Sequence, residues 1–569
     1  MSKVDRQGDL LRKLVEIKGV GRGWGRIHPH YAILHVHALR TGESEKLALP
    51  LGGGANGLGS IHEFCAENGI GLVTAKRNRD LQNMVEAAVD RTTKKAETYI
   101  VADVPGWHGG SFCTPRRSYS RDGEEVVFAA GGIARRMRWS RHGSFRVWRK
   151  AVCRAGLGNP TITFMMMAAF MGPLLQLVDR PGVGFCLVGE TSTGKSILLK
   201  LAGSVWGGDA SGDDKHGFAD TLRITPNAQE LLARQARDAL LVLDDTQNLP
   251  GKPADRAGVL RTLVYDLTSG GDKARLNTPG HSFSSRLVFM MASNENLEKL
   301  MHDGGVYVDE SFSVRCIQIP VSGRFGIFDH LSIGESPANF ANAIDAQVRD
   351  NHGHASSEFL KSLVEWRAKD EAKLRVWIGK KMQKAKDAMG IDGRDGPVAR
   401  ISDYFALAYA AGVLARKFKI LPWGRGDMLN AVVETFAKSQ AFSADRVTHF
   451  AAQGRLRRHI LEHEDRFLSV RHDGEGVDEK AFDAAPGVKY RTKDWETEYL
   501  FSRRHFMGLF GQGAMLETAI KQLLDSGCLK TDGGGITSRK NQTKRRILAT
   551  KSTRTRVYCV RASILNEDG

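Results

Sequence analysis

The sequence is poor in cysteine, has no apolar segment near its start and shows no internal repeat. Its seven cysteines, Cys65, Cys113, Cys153, Cys186, Cys316, Cys528 and Cys559, are odd in number, scattered, and nowhere spaced C-x-x-C. That argues against a disulfide framework or a cysteine zinc site and for a reducing compartment, so a cytoplasmic location is expected. Residues 1–20 carry charges throughout and lack the apolar core of a secretory signal. The most apolar stretch, 162–178, is shorter than the ~20 residues a bilayer span needs, and Pro173 and Gln176 interrupt it. It reads as a buried helix packed against the strand that follows, and no membrane partner is expected.

Positive charge is what the chain has in excess. Lysine and arginine number 82 against 64 acids, a net charge of +18. Such a balance favours a polyanionic partner, because phosphates release counterions on contact with a basic surface. Charge spread over the surface for solubility is the alternative. Hydrophobic content of 41% and charge of 26% fit a soluble globular class, and 569 residues suffice for about three or four domains.

Residues 1–155 read as β-rich: short apolar runs such as 30–37 and 98–104 alternate with glycine-rich turns such as 51–59. Residues 156–335 alternate strands with helices, the pattern of a mostly parallel α/β sheet. Residues 336–440 read as helical, with apolar residues at helical spacing in 359–366 and 403–414. A helical segment and a polar linker are expected over 441–494, the linker at 471–493. A small basic domain is expected over 495–569.

The most specific signal is Gly189-Glu190-Thr191-Ser192-Thr193-Gly194-Lys195-Ser196. It follows the apolar run 184–188 and precedes helical spacing over 197–205, the strand–loop–helix context of a phosphate-binding loop. The glycines let backbone N–H groups turn onto phosphates, and the helix N-terminus adds positive potential. Lys195 is expected on the β/γ-phosphates of ATP and the Ser196 hydroxyl on Mg²⁺. A second apolar strand, 240–243, ends in Asp244-Asp245, 49 residues after Lys195. Asp244 suits a Mg²⁺ ligand and Asp245 the carboxylate that polarises the attacking water. A third strand, 286–292, ends in Ser293-Asn294, which places Asn294 as a polar sensor of the γ-phosphate or water. Arg315 stands at the start of a fourth strand and suits an arginine finger reaching across a subunit interface; the alternative is a surface salt bridge.

This order of motifs resembles the superfamily 3 and D5-like replicative helicases of viruses and mobile elements, within the AAA+ class. A closer resemblance is to the domain-of-unknown-function 927 family of mobile-element proteins. It rests on Gly106-Trp107-His108 followed by Phe112, on 182–185 leading into the loop, and on 204–207. It rests also on Gly271-Asp272-Lys273-Ala274-Arg275, on 314–320, and on 398–412. The resemblance implies an ATP-dependent DNA helicase or translocase working as a homo-oligomer, expected to be a hexameric ring. The fold it implies is an AAA+-type P-loop core with a β-rich N-terminal domain, a helical lid and a C-terminal winged-helix-like domain. One departure is Asp245, where many AAA+ proteins carry glutamate.

The resemblance also places a DNA-gripping hairpin near Lys273 and Arg275, where a glycine turn would hold both towards phosphates; Arg275 has a competing role at the nucleotide interface. Arg400 could be a second sensor or a local salt bridge. Between Lys530 and Arg561 there are ten lysines and arginines and one acid, Asp532. A wing carrying Arg545 and Arg546 can track single-stranded or forked DNA; a flexible basic loop is the alternative, and an ordinary solvated turn is the alternative for Lys273 and Arg275 and for the further basic cluster Arg135, Arg136 and Arg138. Two other functions stay open on the same residues: an AAA+ ATPase that remodels or loads proteins without unwinding, and a nucleotide-binding DNA switch with little turnover.

Overall fold

The computed structural model describes residues 15–23, 30–37, 44–50, 83, 98–102, 104–120, 126–128, 139–208, 218–220, 222–223, 232–269, 286–304, 306, 310–331, 334–391, 396–450, 452–511, 514–525, 527–531, 542–545, 547–548 and 555–565, with the backbone alone at some, Asp244 and Arg545 among them. It divides into two compact units, 1–439 and 440–569.

The first unit opens with β1 (Val15–Gly23), β2 (His30–His37), β3 (Ser44–Pro50) and β4 (Thr98–Ala102). A small antiparallel sheet follows: β5 (Gly106–His108), β6 (Ser111–Cys113) and β7 (Ser118–Tyr119). Then β8 (Val126–Phe128) joins the first set, in the order β3-β2-β1-β4-β8. Trp107 fastens the small sheet to the rest of the unit. Its indole Nε1 donates to Pro173 O at 2.9 Å, its backbone N donates to Asp238 Oδ2 at 3.0 Å, and the Arg367 guanidinium lies 4.2 Å over its ring. Gly106, at φ +105, allows this approach: a Cβ there would sit 2.5 Å from Asp238 Oδ2.

Helix α1 (Phe145–Gly156) leads to α2 (Pro160–Ala168) and α3 (Gly172–Leu175), all of α2 and α3 buried except Pro160. The apolar stretch at 162–178 is thus two short helices, broken where Pro173 cannot continue the ladder. It does pack on the next strand: Phe164 meets Phe185 edge-on at 5.3 Å.

The central sheet is parallel and four-stranded. Its members are β9 (Val183–Val188), β10 (Leu240–Asp245), β11 (Val288–Ser293) and β12 (Cys316–Pro320), in the order β10-β11-β9-β12. Asp220 extends it beside β10 through a parallel bridge to Leu243. Unbroken burial along β9 and β11 fits strands covered on both faces. Between the strands lie α4 (Lys195–Gly203), α5 (Pro253–Ser269), α6 (Leu297–Asp303) and α7 (Glu310–Arg315).

Helices α8 (Pro337–Asp350), α9 (His354–Lys369), α10 (Glu371–Ala388) and α11 (Pro397–Lys417) follow. Among the described residues α11 is long and apolar enough to cross a membrane, but most of that span is buried inside the protein. Phe405 in α11 stacks on Phe164 at 4.5 Å, and Gly412 leaves room for Met167.

Helix α12 (Arg425–Phe450) runs through the division at 439/440. The second unit holds α13 (Ala452–Glu462), β13 (Leu468–Arg471), α14 (Glu479–Ala484), β14 (Val488–Arg491) and β15 (Thr497–Phe501). It continues with α15 (Arg503–Phe510), α16 (Ala514–Asp525), β16 (Leu529–Lys530), β17 (Thr543–Arg545) and β18 (Thr555–Arg561). The sheet order is β13-β14-β15-β18-β16, with β17 also on β18. Phe506 stacks on Tyr558 at 4.1 Å beneath the helices. The expected linker at 471–493 therefore holds α14 and β14, and a boundary at 494/495 would cut the β14–β15 hairpin. β13 and β14 are four residues long and carry charges on their less buried positions, so no apolar run announces them.

In the first unit, His108 confers an acid sensitivity. Burial first, and repulsion from Arg237 second, push its pKa down to about 4, against the opposing Val104 carbonyl. The folded state keeps the ring neutral while the unfolded chain takes up a proton below about 6.5. Stability from this residue is therefore intact above about pH 6.5 and falls as pH drops towards 4, by about 3 kcal/mol at the limit. Denaturant unfolding between pH 7 and 4.5 should show that slope, and His108→Asn should flatten it.

Candidate nucleotide site

The parallel strands β9, β10 and β11 all end on one edge of the sheet, the edge where open α/β sheets take their ligands. β9 runs into the loop 189–194 and α4, β10 ends at Asp245, and β11 ends one residue before Asn294. Because β11 lies between the other two, Asn294 emerges between the loop and the Asp245 strand.

The loop is shaped by two residues in the left-handed region, Ser192 at φ 65 and Gly194 at φ 91. A side chain at Gly194 would put its Cβ 2.8 Å from Ile327 Cγ1, so only glycine fits. Thr193 Oγ1 donates to Glu190 O at 2.8 Å. Lys195 is buried, and its ammonium uses all three donors: to Gly189 O at 2.7 Å, Glu190 O at 2.6 Å and Asn294 Oδ1 at 2.8 Å. Burial pushes the Lys195 pKa down, and the charge of Asp245 pulls it back. Asn294 Nδ2 donates in turn to Thr191 Oγ1 at 3.1 Å. Glu190, Thr191, Ser192 and Ser196 are exposed, the last in the first turn of α4.

Asp245 is half-buried and accepts from Gln247 N at 3.0 Å, capping the short turn Thr246–Asn248. Behind it Thr246 Oγ1 donates to the buried Ser293 Oγ at 2.9 Å, and Ser293 Oγ to Glu295 O at 2.6 Å. These bonds tie the end of β10 to the end of β11. The backbone of Asp244 lies at the same strand end; its side chain is outside the described residues.

Sequence reasoning missed the turn 321–328, which follows β12 and touches the outside of the loop. Val321 N donates to Val188 O at 2.7 Å and Ile327 N to Thr193 O at 2.8 Å. Gly326, at φ +75, lies against the Thr193 carbonyl, where a Cβ would collide. The pair Gly323 and Gly326 around an aromatic was its only trace in the sequence.

Arg315 does not join this group. In the parallel register Cys316 faces Gly184 and Pro320 faces Val188, so Arg315 lies at the start of β9 while the loop leaves its end. At ~3.3 Å per residue the two are about 17 Å apart along the strand, beyond an arginine's reach. Arg315 packs instead on the Tyr265 ring, 4.9 Å from its centroid, and Nη1 donates to Ser311 O at 2.9 Å. Arg400 is exposed in the first turn of α11 and groups with Arg315: both, with Arg180, act on Tyr404, whose phenol burial pushes up to about 12. Lys273, Arg275, Arg546 and the cluster 135–138 lie outside the described residues, and Arg545 is placed on β17 by its backbone alone.

The fold is mixed α/β, with a parallel sheet at its centre. A solved structure of an active SCCmec type IV Cch helicase is similar over 97% of this chain and 94% of its own, with a TM-score of 0.61 and 13% identity. Residues 60–285, which hold the glycine-loop sequence and the Asp244-Asp245 strand, match the family model described as domain of unknown function (DUF927). An apo A form of an NrS-1 C-terminal region overlays loosely, at a TM-score of 0.28 and 13% identity over 61% of this chain and 68% of that one. No curated protein matches the chain.

Gly326→Ala should loosen the loop from its outer turn. Amide hydrogen exchange over 189–196 should speed up about tenfold, a loss of roughly 1.4 kcal/mol of local protection, with the β14–β15 amides unchanged.

Proposed function

We propose that this chain is an ATP-dependent DNA helicase or translocase, built on an AAA+-type P-loop core and working as a ring-forming homo-oligomer in the replication of a mobile element. The observation that carries the reading is the convergence of Lys195, Asn294 and Asp245 at one edge of the sheet, beside a glycine loop that opens a helix. That loop suits a triphosphate: glycine at φ 91, a buried ammonium held by groups it can exchange, and an exposed hydroxyl at Ser196. ATP with Mg²⁺ would supply the phosphoanhydride to be cleaved and a divalent charge to offset its negative charge.

The chain's own residues divide the work. Gly189, Glu190, Thr191, Ser192, Thr193 and Gly194 would present backbone to the phosphates, and Lys195 would turn from the loop carbonyls to phosphate oxygens. Ser196 and Asp244 would hold Mg²⁺. Asp245 would orient the water, held by its bond from Gln247 N. Asn294 links the lysine to Thr191 and would report the γ-phosphate's presence. Arg315 is too far along β9 to serve its own loop, which favours action on a neighbour's. On the DNA side, Lys273 and Arg275 would grip the strand. The second unit's α15, α16 and the β16–β18 strands suit a winged helix carrying Arg545 and Arg546.

Lys195→Ala and Asp244→Ala should each bring ATP hydrolysis to background, measured as phosphate release; wild-type turnover in both would remove the site assignment. Lys273→Ala combined with Arg275→Ala should keep basal hydrolysis and weaken single-stranded DNA binding. The slope of log affinity against log salt should fall by about 1.4, or roughly 0.7 per lost phosphate contact on a single strand. Unwinding of a forked duplex separates a helicase from a protein-remodelling ATPase.

A further inference from the structure

In the second unit, β14 and β15 are joined by a tight turn with an unusual residue at its tip. Thr492 N donates to Glu496 O at 2.9 Å, Trp495 N to Thr492 O at 3.2 Å, and Glu496 N to Thr492 Oγ1 at 3.1 Å. The loop is thus Lys493-Asp494-Trp495, a turn followed by a residue at φ +61. In three-residue hairpin loops that last position favours glycine, because other side chains crowd the backbone there. Here it holds a tryptophan, 69% exposed, the most exposed large hydrophobic among the described residues.

Packing does not account for this choice. The Arg491 guanidinium lies 6.0 Å from the ring centroid, at the outer limit of a cation–π contact. Residues held in a strained conformation with no packing reward mark places where a ligand uses them.

We infer that Trp495 is a stacking platform for an unpaired nucleic-acid base, with Arg491 and Lys493 beside the flanking phosphates. The inference rests on the nucleic-acid reading above. A protein partner would need a contiguous apolar patch. Trp495 instead stands among Arg491, Thr492, Lys493, Asp494 and Glu496, all polar. A base needs one open ring face and a nearby cation, which is what the tip provides. Asp494 and Glu496 offset the two cations, so the ring rather than charge does the holding. The chain's net charge of +18 brings the strand near.

The test uses the full chain and a fluorescein-labelled single-stranded oligo-dT, read by anisotropy across a salt series. Trp495→Asn, whose side chain tolerates positive φ, should bind about tenfold more weakly, with the salt slope unchanged and Tm equal to or above wild type. Trp495→Phe should keep most of the affinity. Oligo-dT should quench tryptophan emission in the wild type and not in Trp495→Asn. Wild-type binding and quenching in Trp495→Asn would overturn the inference and leave the helicase reading standing. So would a loss of binding that comes only with a lowered Tm. A wild type that binds no single strand would remove both.

Discussion

An ammonium drawn partly out of water needs oxygen around it, and Lys195 is that ammonium. Its acceptors come from two separate strands: the loop carbonyls follow β9, and Asn294 follows β11. The opposing charge that offsets its burial, Asp245, ends β10. The loop, Asp245 and Asn294 are far apart in sequence. They meet because three strands run parallel and β11 is inserted between the other two. The cores beneath, Phe164 on Phe405 and Phe185 among them, keep the strand ends in register.

Much of the local grammar was readable from the chain. The phosphate-loop sequence announces itself because its glycines answer a backbone need, and Ser192 and Gly194 do turn into the left-handed region. The strands ending at Asp245 and Ser293 are buried runs of fixed length, bounded by polar residues, and they lie where their apolar content placed them. Some residues that marked the family resemblance serve packing instead. Trp107 fastens a small sheet, and the Trp206 indole donates to Ala169 O at 2.8 Å. A pattern of residue types does not say whether a tryptophan is held for chemistry or for shape.

What the sequence hid was lateral order and the path of polar strands. Order along the chain places Arg315 just before a strand; only the parallel register shows that this is the edge away from the loop. Residues 471–493 are rich in charge and glycine, yet β13 and β14 take their place in a sheet whose buried face is only a few residues wide. The β14–β15 turn was invisible because tryptophan at its last position contradicts ordinary turn chemistry.

β12 joins two features that lie on opposite edges of the sheet. At one end is Arg315, seated on Tyr265; at the other, the turn 321–328 donates through Ile327 to the carbonyl of Thr193. The strand between them is five residues of buried backbone, bonded along its length to β9. It is a strut. One end of that strand carries the Arg315–Tyr265 contact and the other the turn that braces loop 189–194, so a single buried strand links the two edges of the sheet.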